Sequence, residues 1–231
     1  MIGLLVNILV FVINTIYCDR PYPRFYVLET VARVPYFSYL SVLHLYETLG
    51  LWRKADWLKV HFAESWNELH HLLIMESLGG DAFWGDRLLA KTTALIYYWI
   101  ITFLYFIKPP SAYHFMELVE KHAYISYHKF LTANEDELQA KSPPIIAISY
   151  YRDGDLYMFD EFQTSHTPAE RRPTIENLYD VFVAIRDDEM EHVKTMQACQ
   201  KTNAQLSFKS PHTLEMKTVA TKSDVDVRHY Q

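Results

Sequence analysis

The sequence carries Glu-x-x-His twice, at Glu68–His71 and at Glu189–His192, far apart in the chain. On a helix a separation of three residues puts both side chains on one face, about one turn apart. Each pair can therefore aim a carboxylate and an imidazole at the same metal ion. Two such helices, joined by two others that each add a glutamate, build the dinuclear carboxylate site of a ferritin-like bundle. One Glu-x-x-His alone is ordinary on a solvated helix face. The constraint becomes strong only if the rest of the chain supplies the missing parts.

The composition allows it. A chain of 231 residues suits one domain with a sizeable core and an appendage. Only six residues are Gly and half are hydrophobic, which favours long helices over a turn-rich β fold. The formal charge of −6 leaves no basic footprint, so no nucleic-acid partner is expected. Cys18 and Cys199 are too few for a disulfide framework or a zinc site and read as free thiols. Residues 1–20 form an apolar segment interrupted by Asn7, Asn14 and Thr15, without the basic start and small-residue cleavage site of a signal peptide. They are expected to associate with a membrane surface.

Four long helices can be placed in the domain at residues 21–200. The first runs from Arg24 to about Leu49, kinked at Pro35 and ended by Gly50. The second runs from about Lys54 to Leu78 and stops at Gly79-Gly80. A third spans about Ser111–Leu131. The fourth opens near Pro173-Thr174, with Thr174 as its N-cap, and continues to about Gln200. Residues 132–172 read as irregular or short pieces, and 201–231 as a polar, disordered tail.

Each long helix can offer a glutamate to such a site: Glu29, Glu68, Glu120 and Glu189. His71 and His192 complete the two pairs. Any one of these glutamates, taken alone, reads as a solvated face or an intrahelical ion pair. Glu29, however, lies within Val27-Leu28-Glu29-Thr30-Val31, where a free carboxylate would be costly. Four carboxylates balance two ferrous ions in charge, and oxygen and imidazole ligands suit iron or manganese. Asp188, beside Glu189, is a candidate partner for a ligand histidine's second ring nitrogen. His61, His70, His114 and His122 lack the paired spacing and read as surface or supporting residues.

Leu28-Glu29-Thr30-Val31-Ala32, Asn67-Glu68-x-x-His71, Glu120-x-x-Ala123 and Arg186-Asp187-Asp188-Glu189-x-x-His192 resemble the four iron-binding motifs of the alternative oxidases. Arg24–Glu29, His61–Glu68 and Phe159–Ser165 resemble the plastid terminal oxidase branch, also found in cyanobacteria. The resemblance covers roughly residues 22–200. It implies an all-α, ferritin-like fold holding two iron ions, and a quinol oxidase that reduces O2 to water. It further implies Glu29, Glu68, His71, Glu120, Glu189 and His192 as metal ligands and Tyr127 as a redox-active tyrosine. Arg24, Leu28 and Ala123 match positions lining the quinol pocket. Where the mitochondrial branch has a further Glu after its third ligand, this chain has His122. The plastid-type match implies plastoquinol as donor and a thylakoid or cyanobacterial cytoplasmic membrane as the location.

The chemistry of the residues is consistent with this. Reducing O2 to water takes four electrons, whereas a quinol gives two and a two-iron site cycles two. A phenol near the site is a suitable one-electron donor, and Tyr127 lies seven residues after Glu120, on the same helical face. Alone, it would read as one of seventeen tyrosines packing a core.

The run Leu88–Ile107 is long enough to span a bilayer. Connectivity argues instead for a helix lying in one leaflet, because Glu68 and His71 precede it and Glu120 follows it. Membrane lipid is therefore an expected partner, and the apolar helices could also pair two copies as a homodimer. Three other readings compete: a soluble ferritin-like iron-binding protein, a di-iron quinone hydroxylase and a metal-free membrane scaffold. The Leu88–Ile107 run argues against the first, the Phe159–Ser165 segment against the second, and Glu29 and Glu120 against the third.

Overall fold

The computed structural model describes residues 2–51, 55–152 and 172–202. Nine helices and no strand occur among them: α1 (Ile2–Ile16), α2 (Pro21–Ala32), α3 (Val34–Thr48), α4 (Ala55–Ser77), α5 (Trp84–Ile107), α6 (Pro109–Ala133), α7 (Glu135–Gln139), α8 (Ile145–Tyr151) and α9 (Leu178–Gln200). The expected all-α bundle is the observed one. The Phe159–Ser165 segment and the chain beyond Thr202 lie outside the described residues.

Helix α6 packs along α9, α4 lies against α2 and α3, and α5 runs beside α2, α3 and α6. Two clusters of buried side chains fill the interior. One gathers Phe25, Met75, Tyr127, Leu178 and Phe182. The other gathers Tyr36, Tyr39, Trp57, Tyr105, Tyr113 and Met196. Aromatic rings thus do much of the space filling that aliphatic residues do elsewhere.

The expected first helix is two. Pro35 has no N–H to reach the Val31 carbonyl, and the chain breaks at Arg33 before α3 begins with Pro35 in its first turn. Pro109 and Pro110 both end α5 and open α6, occupying the first helical positions, where a missing N–H costs nothing. The last helix starts at Leu178 rather than near Thr174. Its N-cap is Asn177, whose side chain accepts from the Asp180 N–H while Asp180 accepts from the Asn177 N–H.

The two expected glycine stops form as expected. Gly50 and Gly79 take positive φ of 69° and 80°. Leu51 N–H donates to Tyr46 O and Gly80 N–H to Met75 O, closing α3 and α4 with six-residue loops. Gly80 has a second reason to be glycine. A Cβ there would lie 2.7 Å from Tyr22 O and 2.9 Å from Met75 O. The end of α4 therefore presses directly on the backbone of α2, the helix that carries Glu29.

Candidate metal centre

On α4, buried positions recur in steps of three and four: Trp57, His61, Glu64, Glu68, His71, Met75. On α9 the same stepping gives Val181, Ile185, Glu189, His192, Met196 and Cys199. The Glu-x-x-His pairs therefore sit in line with the apolar stripes that dock these helices, so burying the stripe buries the acids and imidazoles with it. Glu29 on α2 and Glu120 on α6 face the same interior. All six side chains are essentially inaccessible, Glu29 being the most exposed at 1%.

The structure brings the six into two groups: Glu29, Glu68, His71 and Glu189, and Glu68, Glu120, Glu189 and His192. Within each, the candidate ligand atoms all lie within 4.8 Å of one another. Glu68 and Glu189 belong to both groups, the position a bridging carboxylate needs. His71 Nδ1 is 3.3 Å from Glu189 Oε1 and 3.6 Å from Glu29 Oε2. His192 Nδ1 is 2.9 Å from Glu68 Oε1 and 3.5 Å from Glu189 Oε2.

Glu29 Oε2, Glu120 Oε2, both carboxylate oxygens of Glu68 and Glu189, and His71 Nδ1 are buried without a hydrogen-bond partner. Orphaned polar atoms in a packed core are expensive and call for an explanation. Protonation follows the same logic. Burial, then mutual repulsion with Glu189, Glu29 and Glu120, drives Glu68 well above the usual carboxylate range. Glu120 rises for the same reasons, burial first and Glu189 next. Glu29 is the exception: burial pushes it up, but the adjoining His71 imidazole together with hydrogen bonds from Glu68 and Tyr127 holds it low. Such a buried set fits two divalent cations: four carboxylates and two imidazoles match their charge and their preferred donors.

His71 shows how a ligand would be oriented. Its Nε2 lies 3.3 Å from Asp188 Oδ2, leaving Nδ1 turned toward the carboxylates. Asp188 is itself held by Asn67 Nδ2 at 2.8 Å and the Tyr151 hydroxyl at 3.0 Å. Asn67 also donates to the Tyr150 hydroxyl at 2.8 Å. An acid anchored this way fixes both ring orientation and tautomer. Asp188 thus lies beside the ring of His71.

Tyr127 donates its hydroxyl to Glu29 Oε1 and stacks on Phe25, the ring centroids 4.3 Å apart and the planes 7° from parallel. Burial, and then the charge of Glu29, keep this phenol protonated. Arg24 and Leu28 on α2 and Ala123 on α6 are each half-buried. Arg24 Nη2 donates to Ser126 Oγ at 3.1 Å, and Ser126 Oγ lies 3.2 Å from His122 Nε2.

Several supporting residues were missed. Tyr36 is fully buried and donates its hydroxyl to Glu120 Oε1, so each metal group has its own tyrosine. Its position seven residues after Glu29 was the available clue. Tyr150 and Tyr151 come from α8, a seven-residue helix in the stretch expected to hold irregular or short pieces. Of the histidines read as surface or supporting residues, His61 and His70 are buried, at 0% and 4% exposure. His114 is half exposed.

A family model described as alternative oxidase matches residues 10–201. The chain is 62% identical over 203 residues to ubiquinol oxidase 4, chloroplastic/chromoplastic, of Arabidopsis thaliana, covering 88% of this chain and 57% of that protein. It is 30% identical over 167 residues to alternative oxidase 3, mitochondrial, of Glycine max, covering 72% and 45%. Ubiquinol oxidase, mitochondrial, of Mangifera indica is 29% identical over 170 residues, covering 73% and 47%. The chain spans about half the length of the curated relatives it matches.

Proposed function

This chain belongs to the alternative oxidase family, and from that premise we propose that it is a di-iron quinol oxidase, moving electrons from a quinol to O2 with release of quinone and water. The observation that carries the reading is the pair of buried groups sharing Glu68 and Glu189, with so many carboxylate oxygens lacking any hydrogen-bond partner. In this reading Glu29, Glu68, His71, Glu120, Glu189 and His192 would hold the two iron ions. Bound there, the irons supply the ferrous–ferric cycle that delivers two electrons to oxygen.

The protein's own groups do the rest. Asp188 orients His71, and Asn67 and Tyr151 keep Asp188 from turning away. Tyr127 is the one-electron donor whose proton is already shared with Glu29. Arg24, Leu28 and Ala123 form the edge where the quinol head rests, with Ser126 and His122 as polar neighbours in place of a second carboxylate. Closed packing around the six ligands excludes bulk water from the reacting oxygen.

The 62%-identical relative is named a chloroplastic/chromoplastic ubiquinol oxidase, which supports a plastid setting, and in that setting plastoquinol is the donor and the thylakoid the membrane of this proposal. None of the named relatives supports the cyanobacterial alternative. Helix α5 supports a seat on one leaflet. It is the one described helix long and apolar enough to cross a membrane, yet only 17% of its apolar window is buried in the protein. Leu88, Leu95, Trp99, Phe103 and Phe106 lie exposed at helical spacing along one stripe, and Phe11, Val12 and Ile16 of α1 are exposed as well. The opposite side of α5 packs along α2 and α3, the helices walling the polar site. A transverse α5 would carry that buried acid cluster into the bilayer with it. Pairing of two copies through part of the stripe is compatible with this seat.

The test is O2 uptake with a plastoquinol analogue, together with iron analysis and product identification. Wild type should bind about two irons per chain and form quinone and water. Glu68→Ala or Glu189→Ala should lose both iron and turnover while keeping helical content. A hydroxylated quinone as product would assign the site to an oxygen-inserting enzyme, and full activity in iron-free Glu68→Ala would remove the di-iron assignment.

A further inference from the structure

Next to the metal site lies a second set of fully buried polar side chains to which the oxidase reading gives no role. His61 Nδ1 is 2.7 Å from Glu64 Oε2, and His61 Nε2 is 2.8 Å from the Tyr113 hydroxyl. The Tyr113 and Tyr105 hydroxyls are 2.6 Å apart. All four residues are 0% exposed. Burial holds the His61 ring down at about 3, so the imidazole is neutral. With Nδ1–H given to Glu64, Nε2 is left to accept from the Tyr113 O–H.

A phenol that loses an electron becomes a strong acid, and its oxidation is favourable only where a base waits for the proton. Tyr113 has that base in place at hydrogen-bond distance. It is also joined to the metal site by a column of touching rings. The His192 and Tyr36 ring centroids are 5.2 Å apart, Tyr36 and Tyr39 6.3 Å, and Tyr39 and Tyr113 5.0 Å. Among the tyrosines of this column only Tyr113 meets a base outside the candidate ligands. Tyr36 donates to Glu120, Tyr39 to the Ala112 carbonyl, and Tyr105 pairs with Tyr113.

We propose that Tyr113 is a second redox-active tyrosine, with His61 as its proton acceptor and Glu64 as the group that positions His61. The proposal rests on the di-iron oxidase reading and completes its electron count. Reduction of O2 to two waters takes four electrons; two fit the ferrous–ferric cycle, one fits Tyr127, and Tyr113 provides the fourth. In that step the Tyr113 O–H bond breaks. The electron passes by way of Tyr39 and Tyr36 to the oxygen under reduction, and the proton goes to His61 Nε2. The imidazolium so formed faces the Glu64 carboxylate. When a quinol later returns an electron to Tyr113, the proton goes back from Nε2 to the phenolic oxygen.

The experiment is freeze-quench electron paramagnetic resonance on the iron-loaded, fully reduced chain mixed with O2 in the absence of excess quinol. Tyr127→Phe should keep a tyrosyl radical, and the double variant with Tyr113→Phe should lose it. Tyr113→Phe alone should roughly halve the radical yield at unchanged iron content. Placing 3-fluorotyrosine at position 113 preserves the side chain and should add fluorine hyperfine splitting to the signal, which covers the case in which the Phe variant folds poorly. His61→Gln should shorten the lifetime of the Tyr113 radical. A Tyr127→Phe protein with no tyrosyl radical, or a fluorinated protein with an unaltered spectrum, overturns the proposal. Failure of the oxidase reading looks different, because wild type would then consume no O2 with quinol.

Discussion

Tyr127 and Glu29 stand 98 positions apart in the chain and share one hydrogen bond inside the core. Replacing Tyr127 with Phe removes only the hydroxyl, since the stacking on Phe25 is unaffected. Turnover should fall nearly to zero with both irons still bound, as read by O2 uptake beside metal analysis. A Phe variant running at the wild-type rate would reduce Tyr127 to a packing residue. His61 makes a separate prediction about acid stability. Its ring is held at about 3 in the fold against an ordinary value near 6.5. Below about pH 6.5 the unfolded chain takes up a proton that the folded chain refuses, so this stability is present at neutral pH and lost as pH falls toward 3. The slope is up to ~1.4 kcal/mol per pH unit. Denaturant titrations from pH 7 to 4 should show a shallower loss in His61→Gln. At this scale Glu68, His71, Glu189 and His192 were legible as candidate ligands because Glu-x-x-His is a local pattern set in an apolar stripe. Glu29 and Glu120 came instead from their place on the other long helices and from the family resemblance. Tyr36, Asn67 and Tyr151 were not legible, because each acts on a group supplied by another helix.

Helix ends were legible where one residue type decides them. Gly50 and Gly79 stop their helices through backbone freedom, which the sequence displays directly. The start of the last helix was placed too early at Thr174, because the capping pair Asn177–Asp180 uses Asp in the place where Glu or Gln gives the recognisable pattern. Asn177→Ala should cost roughly 1 kcal/mol of stability, measured by chemical denaturation, since the Asp180 N–H in the first turn loses its side-chain partner. Gly80→Ala should cost more, roughly 1–3 kcal/mol, because the new Cβ meets backbone oxygens that cannot swing aside. It should also lower iron occupancy, because the strain falls on the helix that presents Glu29. A Gly80→Ala protein with unchanged stability would show that the contact between α4 and α2 can open freely.

At the scale of the whole molecule, α5 lies along the bundle with its apolar stripe outward. The sequence displayed the stripe's length and hydrophobicity; what covers its other side depended on which helices came to rest against it. Asp86 shows this, being pinned by the Tyr17 hydroxyl at 3.0 Å and by Arg20, which ties the α1–α2 corner to the start of α5. Trp84→Cys and Lys108→Cys, made in a Cys18→Ser background, place thiols at the exposed ends of α5. Both should label from the same face of sealed vesicles with a membrane-impermeant reagent. Labelling from opposite faces would mean that α5 spans the bilayer. A seat on one leaflet has an energetic consequence for an oxidase. Protons released by the quinol and protons consumed in forming water then meet on the same side, and no charge traverses the lipid. In the proposed oxidase the free energy between quinol and oxygen would be left as heat rather than stored as a gradient, making it a relief valve on the quinone pool and not a generator.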